Sequence, residues 1–166
     1  MKIATLGLIA ALAAATPALA QDPWAMPGEE AVDAYTPSNA NAGAAPFEGG
    51  EMLAAFNGKP GIERIVIAML DQSFSDPRIS DIFKAHDRAR LQRTLIEQFC
   101  YILNGGCAYT GRDMKSTHKD MGLQVSDMNI LVEHLQLAMD REGVPFAAQN
   151  RFLAKLAPMK RDVVER

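Results

Sequence analysis

The 166-residue chain has only three histidines and two cysteines, and no second His or Cys stands at zinc spacing beside any candidate ligand. It has no excess of positive charge. Its 17 Lys and Arg face 20 Asp and Glu, for a formal net charge of −3. Binding to phosphate needs a basic surface, so nucleic acid is excluded as a main partner. There is no internal repeat and no convincing period-two alternation, which leaves solenoids and β folds without support. Apolar and charged fractions of 48% and 22% are near globular averages, so neither a disordered chain nor a membrane bundle is indicated.

The N-terminus carries an address. Met1-Lys2 gives a short positive start, residues 3–15 are almost wholly apolar or small, and Ala18-Leu19-Ala20 forms an A-x-A cleavage signal before Gln21. The run is too short for a permanent membrane span, and no cysteine lies at the cleavage point to take a lipid. Residues 1–20 therefore read as a signal peptide, against the alternative of a buried first helix. The mature protein is then periplasmic, with no stable membrane insertion after cleavage. Residues 21–50 are rich in Pro, Gly, Ala, Asn and Ser, with Trp24 and Phe47 isolated among them. They read as a flexible segment with a short helix near residues 29–33.

From Glu51 onward the pattern becomes helical, and residues 51–166 read as one domain. Ile62, Ile65, Val66, Met69, Leu70 and Phe74 recur at three- and four-residue steps until Asp76-Pro77 breaks the helix. Leu91, Leu95, Phe99 and Ile102 form a second stripe, ended by Asn104-Gly105-Gly106. Met128, Leu131, Val132, Leu135 and Met139 form a third, with Ser126 as the expected N-cap. Phe152, Leu156, Met159 and Val163 form a fourth, with Pro158 as a kink. The fold class is all-α, with four main helices.

Of the three histidines, His134 lies between apolar positions of the third stripe and reads as a packed helix residue. His86 lies in the polar run Lys84-Ala85-His86-Asp87-Arg88 and reads as a surface residue. His118 ends Met114-Lys115-Ser116-Thr117-His118 and precedes Lys119-Asp120-Met121-Gly122-Leu123. A single strong imidazole ligand suits heme, whose porphyrin supplies the other four nitrogens.

The order of landmarks is more specific than any one of them. They are Asn57-Gly58, Asp76-Pro77-Arg78-Ile79, Phe83, Arg90-Leu91, Gly105-Gly106, Tyr109-Thr110-Gly111-Arg112-Asp113-Met114 and His118. Gly122-Leu123, His134-Leu135, Gly143-Val144-Pro145 and Ala157-Pro158 complete the set. From about Phe56 to Val164 the chain resembles group 1 truncated hemoglobins. The resemblance implies a two-over-two helical sandwich around heme b (iron protoporphyrin IX), with His118 as the proximal iron ligand. It implies Phe83 packed on the heme edge and Met114, Leu123, Met128 and Leu131 as apolar heme walls. Arg90, Tyr109 and Lys115 are implied as propionate partners.

The distal positions depart from the family. Leu70 stands where a tyrosine is common, and Leu91 and Leu95 stand where glutamine or histidine is common. Gln98 and Thr94 are the nearby donors, of which Gln98 reads first as a solvent-facing or helix-packing amide. The resulting expectation is a binder of O2, NO and CO with an apolar distal pocket. An electron donor is the other expected partner. Three rivals stand beside it: heme-based NO detoxification or peroxidase-like chemistry, a six-coordinate electron-transfer heme using Met69 or His86, and a helical module without heme. In an exported chain Cys100 and Cys107 are expected to pair as a disulfide.

Overall fold

The computed structural model of the protein describes residues 23–165, so the signal peptide expected over residues 1–20 lies outside the described residues. The helices are α1 (Glu51–Ala55), α2 (Gly58–Ser75), α3 (Ser80–Lys84), α4 (Arg88–Ile102), α5 (Met114–His118), α6 (Val125–Arg141), α7 (Phe146–Leu156) and α8 (Lys160–Val163). No helix among the described residues is long and apolar enough to cross a membrane.

The four apolar stripes become the four main helical segments. α2 sits at the centre, packed on α6 and α4. It buries Ile62, Ile65, Val66, Met69 and Leu70 along one face, the face its spacing dictates. Phe152 of α7 reaches between α1 and α4, with its ring 5.0 Å from Phe56 and 4.9 Å from Phe99 in edge-on contacts, a favoured aromatic geometry. Pro158 interrupts the fourth stripe as expected: α7 passes through a 3-10 turn at Ala157–Met159 into α8.

Helix starts follow local chemistry. The Asp87 carboxylate accepts from the Ala89 and Arg90 amides at the head of α4, and Asp113 accepts from the Ser116 amide at the head of α5. The third stripe begins earlier than Ser126. Gln124 is the N-cap, and its amide donates to Asp127 at 2.9 Å, so Ser126 lies inside the first turn.

A buried pin joins α2 to α6. His134, 3% exposed, places Nδ1 3.0 Å from Ser73 Oγ and Nε2 3.0 Å from Asp76 Oδ2. Ser73 Oγ in turn donates to the Met69 carbonyl at 2.9 Å. Asp76 also holds Arg78 at 2.6 Å, and the Arg78 hydrogen bonds keep its carboxyl well below the usual range.

Cys100 and Cys107 form the expected disulfide, with Cα atoms 5.7 Å apart. The Gly105 amide donates to the Cys100 carbonyl at 2.7 Å. A Cβ at Gly105 would stand 2.6 Å from Cys100 Sγ, so the turn that lets the two sulfurs meet needs glycine there. Cys100→Ser with Cys107→Ser should lower unfolding stability by roughly 2–2.5 kcal/mol, the loop-closure value for so short a ring, measured by urea denaturation.

Residues 23–50 run along α4 in the same direction as the helix. The Glu30 amide donates to Asp87 at 2.9 Å, Glu29 pairs with Arg93, the Ala42 carbonyl accepts from Gln98 at 2.9 Å, and the Phe47 amide donates to Ile102. Residues 29–33 are not helical. Their place is fixed by the Glu29 side chain, which turns inward to Arg93. The one helical segment among described residues 23–50 is 3-10, over Asn39–Ala42. A sequence reading of flexibility gives no hint of these contacts, because nearly all the anchors are polar.

Candidate cofactor site

One cavity of about 700 Å3, counting its open mouth, lies between α3, α4, the α5–α6 connection, α6 and α8. Phe83, Leu91, Leu95, His118, Leu123, Met128 and Leu131 line it together, so seven of the sequence-expected positions converge on one space. Leu91 and Leu95 come from α4, Met128 and Leu131 from α6, and His118 from the last residue of α5.

Five expected residues do not line the cavity. Leu70 is fully buried in the α2 core, one layer behind the space it was expected to face. Met114 packs against the core and touches it only indirectly, through its carbonyl to His118. Arg90 turns to residues 23–50, where its guanidinium donates to the Glu30 carbonyl at 2.5 Å and lies 3.6 Å from Glu29. Tyr109 is buried, donates to the Arg112 carbonyl at 3.0 Å and packs so closely on Gly111 that a Cβ there would meet its hydroxyl at 2.2 Å. Burial pushes its phenol up. Lys115 is exposed.

Conversely, Ile79, Ile82, Met121, Gln124, Asp127, Val163 and Val164 line the cavity without being among the expected site residues, and so does His86, expected there only as a ligand of the rival six-coordinate heme. Val163 was visible as part of the fourth stripe, and Gln124 and Asp127 fall on the same α6 face as Met128 and Leu131 by helical spacing. His86 is exposed, as its polar neighbourhood implies, and also lines the cavity, where the rival six-coordinate reading would use it. The two donors weighed for the distal side face elsewhere: Gln98 is spent on Ala42, and Thr94 donates to the Arg90 carbonyl at 2.9 Å.

The three histidines differ in what their rings hold. Both nitrogens of His134 are engaged in the pin described above. His118 places Nδ1 2.7 Å from the Met114 carbonyl. A carbonyl only accepts, so Nδ1 carries the proton and Nε2 keeps a free lone pair. Burial lowers the tendency of His118 to protonate, the Met114 carbonyl opposes this, and the nearby His86 reinforces it. The loop after His118 is held by the chain's far end. The Glu165 carboxylate accepts from the Asp120 and Gly122 amides at 2.7 and 3.0 Å, and the Glu165 amide donates to the Leu123 carbonyl at 3.0 Å. Asp120 adopts φ 63°, a left-handed conformation uncommon outside glycine. Glu165 pins that turn and with it the lining residues Met121 and Leu123.

Two helix pairs closing on an apolar cavity with a single tautomer-fixed histidine define an all-α, two-over-two truncated-globin fold. The bacterial-like globin model matches residues 52–165, and the chain belongs to that family. Among similar proteins, the group 1 truncated hemoglobin GlbN of Mycolicibacterium paratuberculosis is 26% identical over 106 residues, covering 64% of this chain and 78% of the relative. Its counterpart from Nostoc sp. is 29% identical over 103 residues, covering 62% and 87%. The fold also matches the crystal structure of truncated hemoglobin from Tetrahymena pyriformis in its Fe(III) form. There the TM-score is 0.66 at 21% identity, over 69% of this chain and 98% of that one. The 2/2 hemoglobin from a Synechococcus species, with covalently attached heme, matches at TM-score 0.63 and 18% identity, over 69% and 98%.

Proposed function

We propose that this chain is an exported heme b globin that binds small diatomic gases (O2, NO and CO), with His118 as the protein's ligand to iron. The observation that carries the reading is the Nδ1–H···O=C bond to Met114 at 2.7 Å. It presents a neutral imidazole with Nε2 free at the wall of an apolar cavity. Orienting a ligating histidine through its other ring nitrogen is the usual arrangement at metal sites. Among the described residues no group of three or more His, Cys, Asp or Glu could hold a metal ion. His118, the lining histidine whose tautomer is fixed, suits a cofactor that brings its own ligands. Heme, when bound, supplies an iron with a coordination position open to a gas.

The residues of this chain do the rest. Phe83, Leu123, Met128 and Leu131, all on the lining, would exclude water from a bound ring, and Leu91 and Leu95 would wall the gas side without a proton to give. Cleaving a peroxide bond requires a positioned acid and base; Leu91 and Leu95 offer neither, which leaves His86 and Asp127 as the lining groups on which a peroxidase-like reading would have to rest. Export is supported by the N-terminal address and by a disulfide suited to an oxidising compartment.

Ferric and ferrous absorption spectra of the purified protein test the function. A sharp Soret band is expected, shifting on reduction and again on adding carbon monoxide. Protein that stays colourless after reconstitution with hemin would sink the proposal. Export has its own test: in protein recovered from the periplasm, neither Cys100 nor Cys107 should take a thiol reagent until reduced. Labelling of both without reduction, or recovery only from the cytoplasm with residues 1–20 intact, would overturn it.

A further inference from the structure

Residues 23–50 precede the segment that matches the globin family, which begins at residue 52. They are an addition to the fold, yet they carry its most buried ion pair. Glu29 has a fully buried carboxylate, and Arg93, on α4, is 6% exposed. The guanidinium donates to Glu29 through two nitrogens at 2.5 and 2.9 Å, the paired geometry that makes such bonds strong. The same guanidinium reaches Glu97 and the Thr110 hydroxyl. Further along, the segment leaves α4 for the loop that leads into α5. The Tyr35 hydroxyl donates to the Thr110 carbonyl at 2.8 Å, Asn41 donates to the Gly111 carbonyl at 3.2 Å, and Asn39 accepts from the Tyr109 amide at 2.8 Å. Arg112 donates to the Asp33 carbonyl and lies over the Tyr35 ring at 4.9 Å.

The two things it holds lead to two of the cavity's walls. α4 carries Leu91 and Leu95, and the loop runs directly into the five-residue α5 that ends in His118. α5 has no fully buried residue of its own; Met114 packs on the core and the helix lies against α8, and its position depends besides on what holds the loop before it and the turn after it. Glu165 holds the turn, and the N-terminal segment holds the loop. We propose that residues 23–50 act as a strap that ties the gas-side wall of the cavity to the His118 side and sets how readily the two separate, with Glu29 and Tyr35 as its positioning residues. The strap runs from α4 to the loop beside the direct Glu97–Thr110 and Cys100–Cys107 ties, so loosening it at one end should be felt at both.

The test uses the whole protein and compares Glu29→Ala, Tyr35→Phe and the double variant. Hydrogen exchange in the heme-free protein reads the walls separately. Glu29→Ala, which cuts the α4 end, should speed exchange of the α5 amides by about fivefold or more, and Tyr35→Phe should do the same to α4, which marks local opening distinct from global unfolding. The double variant should exceed the larger single effect by less than about twofold, the non-additivity of a shared linkage. Effects confined to each variant's own end, multiplying in the double, would overturn the strap. So would increases fully matched by the loss of global stability in urea. If Glu29→Ala does not fold, Glu29→Gln retains one acceptor for Arg93 and takes its place.

A second readout rests on the heme reading proposed above: release of heme to excess apomyoglobin should quicken by a similar factor in each variant. Heme release unchanged while exchange responds would overturn control of the cavity by the strap. A parent protein that binds no heme at all would overturn the cofactor reading, and the exchange measurements would still decide the strap.

Discussion

Replacing His118 with glycine is expected to abolish stable heme retention, lowering heme affinity by at least about 100-fold. Disturbing only the groups that orient a ligating histidine already costs about 10–100-fold in metal affinity, and this substitution removes the ligand itself. Glycine also leaves a space at the wall formed by Met121 and Leu123. Added imidazole should enter that space and restore the spectrum. His86→Gln and His134→Gln should keep the parent spectrum, although the second gives up the pin between Ser73 and Asp76 and should lower thermal stability. Titration with hemin, followed by ferrous and carbon monoxide spectra, decides the matter. Unchanged heme binding in His118→Gly would remove the assignment.

Oxygen is expected to leave quickly and carbon monoxide to be held comparatively well. Oxygen bound in a globin pocket gains partial negative charge and is retained by a hydrogen-bond donor, whereas carbon monoxide is far less polar. A hydrogen bond to a charged group contributes roughly 1.5–3 kcal/mol. At about 1.4 kcal/mol per tenfold, its lack raises the oxygen off-rate by about 10–100-fold. Of the three leucines expected on the gas side, Leu91 and Leu95 line the cavity and Leu70 does not. Leu70 is 0% exposed among core side chains, so a tyrosine there overpacks the interior before it helps a ligand. Leu95 lines the cavity, and Leu95→Gln should slow oxygen release while leaving carbon monoxide nearly unchanged in stopped-flow measurements. Slow release from the parent protein would contradict the apolar reading and direct attention to His86, the cavity-lining histidine whose ring the structure leaves without a hydrogen bond.

Much of the fold was legible because it is written in helical period. The stripes from Ile62 to Phe74, Leu91 to Ile102 and Met128 to Met139 each cover several turns, enough for spacing to declare a face. α1, α3 and α5 are five residues each, too short for a period to be read. The cavity was legible where core and wall coincide, as at Met128 and Leu131. It was not legible at Arg90 and Leu70, whose orientation depends on which neighbour arrives from elsewhere in the chain. The N-terminal segment shows the same limit most clearly. Its composition resembles that of a disordered linker, but Glu29 meets Arg93 across 64 positions and Tyr35 meets Thr110 across 75. No local pattern encodes a polar bond at that range.

Ser73, His134 and Asp76 stand in the order hydroxyl, imidazole, carboxylate, with both links 3.0 Å long, the same sequence of groups that activates the serine of a hydrolase. Here the hydroxyl also lies 2.9 Å from the Met69 carbonyl, a second acceptor for its one proton, and Ser73 is 0% exposed on the buried face of a helix. A nucleophile needs a face open to its electrophile, and this one has none. A fluorophosphonate probe should therefore leave Ser73 unmodified, as mass spectrometry of the labelled protein would show. The same three side chains that would make an acyl-transfer engine at a cleft act here as a rivet, and what separates the two roles is the way in.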